Sequence, residues 1–440
     1  MQERDGGHYG DRMTSAAGTG RRRQDAVYRA GVYGRHPRVP TVYRALAREA
    51  KRRLDARAYG YVAGGAGDEA TQRADRTAFD HWSVVPRVLR DVSARDTSVE
   101  LFGRRLPAPV LLGPVGALEL VHPEADLAVA RAAAAVGVPM IFSNQASVPM
   151  ETTAAAMGEA PRWMQLYWST SDELVESLLG RAEATGCDAV VVTLDTTMLG
   201  WRPRDLDLGH LPFALGKGIA QYTSDPVFRR LVEQRAAAAG APRDPQPRPN
   251  LAAVLALVGM ARAWPGPLVE NLRSPLPRAA VETFLSIYSR PSITWDDLAW
   301  LRERTRLPIV LKGVLHPDDA RRAVDEGVDG LVVSTHGGRQ VDRSIAALDA
   351  LPDVVEAVAD RVPVLFDSGV RSGADVLVAV ALGARAVLLG RPYAWGLGVA
   401  GEDGVRQVVE DVLGEFDLTL GLTGHTAVHQ LSREVLRRRP

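Results

Sequence analysis

The chain has 440 residues, 46% of them hydrophobic and 24% charged, with 53 basic and 53 acidic side chains. That length suits one large domain or two medium ones, and a formal charge of zero gives no electrostatic reason to expect nucleic acid or an anionic membrane as partner. No apolar run approaches the roughly 18 residues of a membrane span, and the basic residues near the N-terminus are not followed by a secretory apolar segment. The one cysteine, Cys187, reads as a packing residue, and small-molecule chemistry in the cytoplasm is the expectation.

Residues 1–38 are rich in Gly, Arg and polar side chains without an apolar period, which predicts a disordered tail. Residues 39–440 are expected to form one domain, opening on a helical lead-in, "TVYRALAREAKRRLDARAYGYVAGGAGDEAT". After residue 105, short apolar runs alternate with Ala-rich segments of helical length. Eight runs read as buried strands: 108–114, 139–145, 162–168, 189–195, 307–313, 330–338, 362–369 and 386–392. The segments between them open on acidic or capping residues and mostly close on Gly. Eight such strand–helix repeats predict a (β/α)8 TIM barrel with an N-terminal helical extension. An open doubly wound sheet would need a Gly-rich phosphate loop in its first turn, and "GLGVAG" at 396–401 stands too far from any strand to serve.

A long insert follows the fourth strand, where a barrel loop usually takes a handful of residues. Its body, about 203–292, is expected to act as a lid, with 236–250 mobile and "NLAAVLALVGMARAW" and "RAAVETFLSIYSR" helical.

In such barrels the C-terminal strand ends form the active face. Those positions hold Gly113 and Pro114, Ser143 and Gln145, Gln165 and Tyr167, Thr193 and Asp195, Lys312, His336 and Arg339, Asp367 and Arg371, and Gly390 and Arg391. Polar groups at the ends of buried strands are costly unless paired or used. The glycines and arginines after the last two strands suit a phosphate. Lys312 suits a group that becomes anionic, as a flavin does on reduction, with Gln165 and Thr193 able to hydrogen-bond its pyrimidine edge. His336 is a candidate base with Asp195 as its partner, and Arg339 offers a planar fork for a carboxylate. No His-x-His or HExxH pattern occurs, so no metal site is expected.

The motifs "YGYVAGGAGDE", "QLYW", "TLDTTMLGWRPRDL", "LKG", "STHGGRQ", "FDSGVRSGADV" and "LGRPYAWG" resemble the FMN-dependent 2-hydroxy acid oxidase and dehydrogenase family from about Tyr43 to Leu431. "GWRPRDL", "YTSDPVF" and "GRPYAWG" are most similar to its lactate 2-monooxygenase branch. The resemblance implies FMN as cofactor, with a small 2-hydroxy acid and O2 as reactants, and a homotetramer or larger assembly. It implies that Tyr61, Arg202 and Arg339 bind the substrate carboxylate, that Tyr167 contacts the reacting hydroxyl, and that His336 is the base with Asp195 beside it. Cofactor contacts fall to Pro114, Val115, Gly116, Ser143, Gln165, Thr193, Lys312, Ser334, Asp367, Gly369, Arg371, Gly390 and Arg391. The implied reaction oxidises an L-2-hydroxy acid to the 2-oxo acid, with oxidative decarboxylation in the monooxygenase branch. An oxidase releasing hydrogen peroxide and a quinone- or carrier-linked dehydrogenase share the same residues, and a non-catalytic phosphate-binding barrel is the reading from another class. Two positions depart from the family pattern: Thr335 replaces the usual Asn before the base, and Gln145 stands where an aromatic is common.

Overall fold

The computed structural model describes residues 18–238 and 250–439. Eight parallel strands close into a barrel: β1 (Val110–Leu112), β2 (Met140–Phe142), β3 (Arg162–Leu166), β4 (Val190–Thr193), β5 (Ile309–Lys312), β6 (Gly330–Val333), β7 (Val364–Phe366) and β8 (Ala386–Leu389). Each strand pairs with its sequence neighbours, and β8 returns to β1 through Val387 to Leu389. Runs such as "VVVT" and "GLVV" are buried throughout because helices cover the outer face while side chains fill the interior. The register sets Thr193 beside Lys312, so polar residues at successive strand ends come level on one face. Cys187 is buried and its thiol is pushed up to about 12 by burial, which fits a packing role.

Local capping fixes where the helices begin. Ser171 Oγ accepts from Leu174 N at 3.3 Å and Ser372 Oγ from Asp375 N at 3.2 Å, each satisfying a helix N–H group that has no partner within its helix. The helix Arg391–Leu422 follows β8 directly, and its N-cap residue Gly390 provides no capping side chain, so its first N–H groups remain open toward the strand ends.

The expectation of a disordered tail over 1–38 is corrected in part. Residues 1–17 lie outside the described residues, but Thr19–Val32 is a helix packed on Arg391–Leu422. Its Gly20 N–H donates to Asp417 Oδ2 at 2.8 Å, Arg23 Nε reaches Asp411 Oδ1 at 2.7 Å, and Asp417 also accepts from Arg95 at 2.8 and 2.9 Å. A Cβ at Gly20 would stand 2.4 Å from the Gly414 carbonyl oxygen, so only glycine permits this approach. The segment is polar in composition because long-range charge pairs hold it, and such pairs leave no apolar period to read.

The insert carries the helices Pro203–Asp207, Pro226–Ala238, Leu251–Ala263, Leu268–Arg273 and Leu276–Ile287. Most of the stretch expected to be mobile, 239–249, lies outside the described residues. Tyr222, Phe213 and Tyr288 pack on Phe284, with Tyr222 and Phe284 ring centroids 4.8 Å apart, Phe228 packs on Tyr222, and this aromatic cluster binds the insert together. Tyr222 donates from its hydroxyl to Asn144 Oδ1 at 3.1 Å, and Ala220 N donates to Ala146 O at 3.1 Å, fastening the insert to the end of β2. Leu251, Val254, Leu255 and Val269 remain exposed on its outer face. Among the described residues, no helix is long and apolar enough to cross a membrane.

Asp417 is buried and serves both Gly20 and Arg95, so Asp417→Ala would strand the Arg95 cation. A loss of about 3 kcal/mol in denaturant unfolding is expected; a change below about 0.5 kcal/mol would show that the N-terminal helix is only loosely attached.

Candidate active site

The strand ends enclose a cleft. Of the expected residues, Tyr61, Pro114, Val115, Gly116, Ser143, Gln165, Tyr167, Arg202, Lys312, His336, Arg339, Asp367, Gly369, Arg371, Gly390 and Arg391 line it. Thr193, Asp195 and Ser334 stand behind that wall and hold its members in place. Thr193 Oγ1 accepts from Gln165 Nε2 at 3.1 Å, Ser334 Oγ from Lys312 Nζ at 2.7 Å, and Asp195 Oδ1 lies 2.7 Å from His336 Nδ1.

His336 owes its direction to a backbone device. Strand β6 stops at Val333, and His336, Gly337 and Gly338 follow with φ of 58°, 64° and 71°. A left-handed conformation is unfavourable for histidine and needs support. Ser334 Oγ accepts from His336 N at 2.9 Å, Ser368 Oγ from Gly337 N at 3.0 Å, and Thr335 Oγ1 from Gly338 N at 3.1 Å. The reversed chain turns the imidazole toward Asp195 and the cleft. Burial lowers the His336 pKa below its ordinary value, the Lys312 charge adds to this, and Asp195 only partly opposes it. The ring is neutral at pH 7 with Nδ1 committed to Asp195, leaving Nε2 to face a ligand. Burial alone would raise the Asp195 pKa, but His336 and Lys312 outweigh it and hold the carboxyl down at about 2.

Lys312 is fully enclosed, yet Asp367 Oδ2 at 3.1 Å and Asp195 Oδ2 at 3.9 Å raise its pKa against the effect of burial, so it is charged. Arg339 donates to the backbone oxygens of Tyr61 and Gly64 and lies 5.0 Å over the Tyr61 ring. Burial lowers its pKa, and repulsion from Arg202 and Arg391 lowers it further. A bound carboxylate would relieve that repulsion. Arg202 is oriented by Gln340, whose Oε1 accepts at 2.8 Å while its Nε2 donates to Asp195 O at 2.9 Å.

Arg391 gives its guanidinium to the carbonyls of Val62, Gly337 and Gly64, each at 2.9 Å, and to Gln72 Oε1 at 3.1 Å. What it can offer a phosphate is its charge and its backbone N–H at a helix start. Arg371 stacks over Tyr43 at 4.4 Å and spends one donor on the Val370 carbonyl. Gly369 has φ of 85°, and a Cβ there would stand 2.2 Å from Asp75 O, so the loop can pass only as glycine.

Several contributors escaped the sequence reading. Thr196 donates to Asp195 Oδ1 at 2.8 Å and lies 3.3 Å from His336 Nδ1; it follows Asp195 directly and was available to the strand-end logic. Val62, Leu199, Ser368 and Val370 also line the cleft. Asp75 left no signal, because it sits in the helix Ala70–Asp80 far from any strand. Its Oδ2 accepts from Thr335 Oγ1 at 2.6 Å and its Oδ1 from Ala347 N at 3.1 Å, which gives the unusual Thr335 a defined partner.

A cleft with a buried cation, an amide and hydroxyls at one end and open helix N–H groups with glycine and arginine at the other fits a flavin with a phosphate tail. Lys312, Gln165, Ser143 and the backbone of Pro114 to Gly116 could hold the ring, and Gly369, Arg371, Gly390 and Arg391 the phosphate end. Sequence comparison agrees: residues 50–438 match the FMN-dependent dehydrogenase family, and the chain belongs to it. It is an FMN-dependent oxidoreductase acting on 2-hydroxy acids. It is 42% identical over 416 residues to the FMN-dependent alpha-hydroxy acid dehydrogenase qulF of Penicillium citrinum, covering 94% of this chain and 95% of that one. An L-lactate oxidase of Lysinibacillus sphaericus is 39% identical, covering 89% and 91%. The crystal structure of a mandelate oxidase superposes with a TM-score of 0.72 at 35% identity, over 91% of this chain and 99% of that one.

Burial raises the Asp75 carboxyl to about 6 despite the bonds from Thr335 and Ala347. The folded chain therefore holds this proton more tightly than the unfolded chain, and stability falls as pH rises from about 4 to about 6. Asp75→Asn removes the ionisation while the Thr335 hydroxyl can reverse to accept. The variant's unfolding temperature should drop less than the parent's between about pH 4.5 and about pH 7.5; equal drops would show that Asp75 does not titrate in that window.

Proposed function

We propose that this chain oxidises a small, lactate-like L-2-hydroxy acid to its 2-oxo acid, with O2 as the electron acceptor. The observation that carries the reading is the His336–Asp195 pair opening on the same cleft as Arg339, with the Lys312 charge beside it. FMN, when bound, supplies the two-electron acceptor. Arg339 takes the substrate carboxylate in a forked contact, with Arg202 and the Tyr61 hydroxyl assisting. Tyr167 is the contact for the reacting hydroxyl, its own proton held firmly because burial raises its pKa. His336 Nε2 removes the substrate proton, and Asp195 stabilises the imidazolium that results. Lys312 keeps a fixed positive charge available to a cofactor that becomes anionic on reduction.

The fate of the 2-oxo acid divides two reactions. Early release gives the 2-oxo acid and hydrogen peroxide. Retention gives decarboxylation, in which lactate and O2 become acetate, carbon dioxide and water. Retention is favoured by the insert, whose Phe213 ring meets Tyr61 edge-on at 6.5 Å and whose Gly218 N donates to Glu119 Oε1 at 2.8 Å, so we read the insert as a cover for the cleft. The exposed apolar side chains Leu251, Leu255 and Val269 support the homotetramer or larger assembly.

Aerobic turnover of L-lactate tests the retention step: acetate as the main product supports it, and pyruvate with stoichiometric peroxide replaces it by simple oxidation. Because the base must be neutral, kcat/KM should hold steady above pH 7 and fall in acid with an apparent pKa below 6.5; an acid limb centred above 7 would contradict the environment assigned to His336. Arg339→Ala should raise KM roughly 10- to 100-fold while FMN stays bound; an unchanged KM would remove Arg339 from carboxylate binding.

A further inference from the structure

Gln145 lies between the elements assigned above and has no task in the reaction. Its backbone is fully used: its N–H donates to Ser143 Oγ at 3.1 Å, and its carbonyl accepts from Ala117 N at 2.9 Å. Its side chain is a different matter. The residue is 8% exposed, it lines the cleft, and its carboxamide makes no hydrogen bond with any of the described residues. Neither carboxamide atom is sealed away among apolar neighbours, so the group looks into the cavity. A Cβ built on Gly116 would stand 3.0 Å from Gln145 Cβ and 3.4 Å from the Tyr61 hydroxyl, so the Gln145 side chain leaves the wall beside Tyr61, one of the proposed carboxylate contacts.

An amide in this setting has two donors and an acceptor to satisfy. When a ligand expels the cleft water, an alkyl chain beside Gln145 leaves those groups unpaired, and a polar substituent does not. An apolar wall discriminates poorly against an added hydroxyl, whereas a wall built to hydrogen-bond rejects the analogue that lacks one.

We propose that Gln145 selects 2-hydroxy acids whose side chain carries a hydrogen-bonding group, a hydroxyl, carbonyl or amide, over those that end in bare alkyl. The proposal rests on the 2-hydroxy acid reading and narrows it. Lactate, with a methyl side chain, is then turned over but is not the preferred substrate.

L-glycerate and L-2-hydroxybutanoate test this, because they match atom for atom with a hydroxyl exchanged for a methyl. With the FMN-loaded protein, kcat/KM should favour glycerate by about tenfold or more, and hydroxypyruvate should bind more tightly than 2-oxobutanoate when both are titrated against the flavin absorbance. In Gln145→Leu both preferences should disappear through a loss on the polar member of each pair. Gln145→Met, flexible and nearly isosteric, serves the same purpose if the leucine variant fails to retain FMN. Equal constants for the two acids in the parent, or a preference that survives both substitutions, would overturn the role of Gln145 while leaving the oxidation intact. Failure of either acid to reduce the flavin, with no binding of either 2-oxo acid, would overturn the 2-hydroxy acid reading and this proposal with it.

Discussion

Three consecutive residues in the left-handed backbone region, His336 to Gly338, decide where the imidazole points. A strand that continued straight would carry this side chain along the barrel wall. Instead the chain reverses at once, and hydroxyls from Ser334, Thr335 and Ser368 accept the N–H groups that the reversal exposes. The same residues reach further into the site. Ser334 also holds Lys312, Ser368 donates to Asp367 Oδ1 at 2.7 Å, and Thr335 is tied to Asp75 in the N-terminal extension. The imidazole, the buried Lys312 cation and the loop at Asp367 and Ser368 are therefore fixed by one set of short hydrogen bonds, which is the rigidity that preorganised chemistry needs.

Charge supplies the second constraint. Lys312, Arg202, Arg339, Arg371 and Arg391 converge on one cleft, against Asp195 and Asp367. Arg339 and Arg391 are pushed down by burial and by their cationic neighbours, so a bound anion would stabilise their charged forms. A carboxylate and a phosphate are the anions that this cluster of guanidinium groups suits, Arg339 and Arg391 meeting at the Gly64 carbonyl.

Much of this could be read in the sequence. The eight buried strands follow from β-branched and aliphatic runs at regular spacing, and each observed strand lies inside its expected range because helix and loop residues flank it with different chemistry. The strand-end rule also found His336, Asp195, Lys312 and Arg339, since a polar residue closing an apolar run is conspicuous. What escaped depended on long-range contact. The helix Thr19–Val32 is held by Asp411 and Asp417 almost 400 positions away, and Asp75 meets Thr335 across 260 positions. Neither pairing leaves a local pattern. Gln145 was visible as a departure, but only the geometry reveals that it lines the cleft with an amide that bonds to none of the described residues.

The most direct test of the central claim is the anaerobic reduction of bound FMN in the parent and in His336→Asn, each mixed with the same L-2-hydroxy acid. The account predicts rapid bleaching in the parent and a rate lower by about 100-fold or more in the variant, with FMN content and 2-oxo acid binding retained. Bleaching at a comparable rate in both would contradict it, because the left-handed turn would then be aiming a side chain that the reaction does not use.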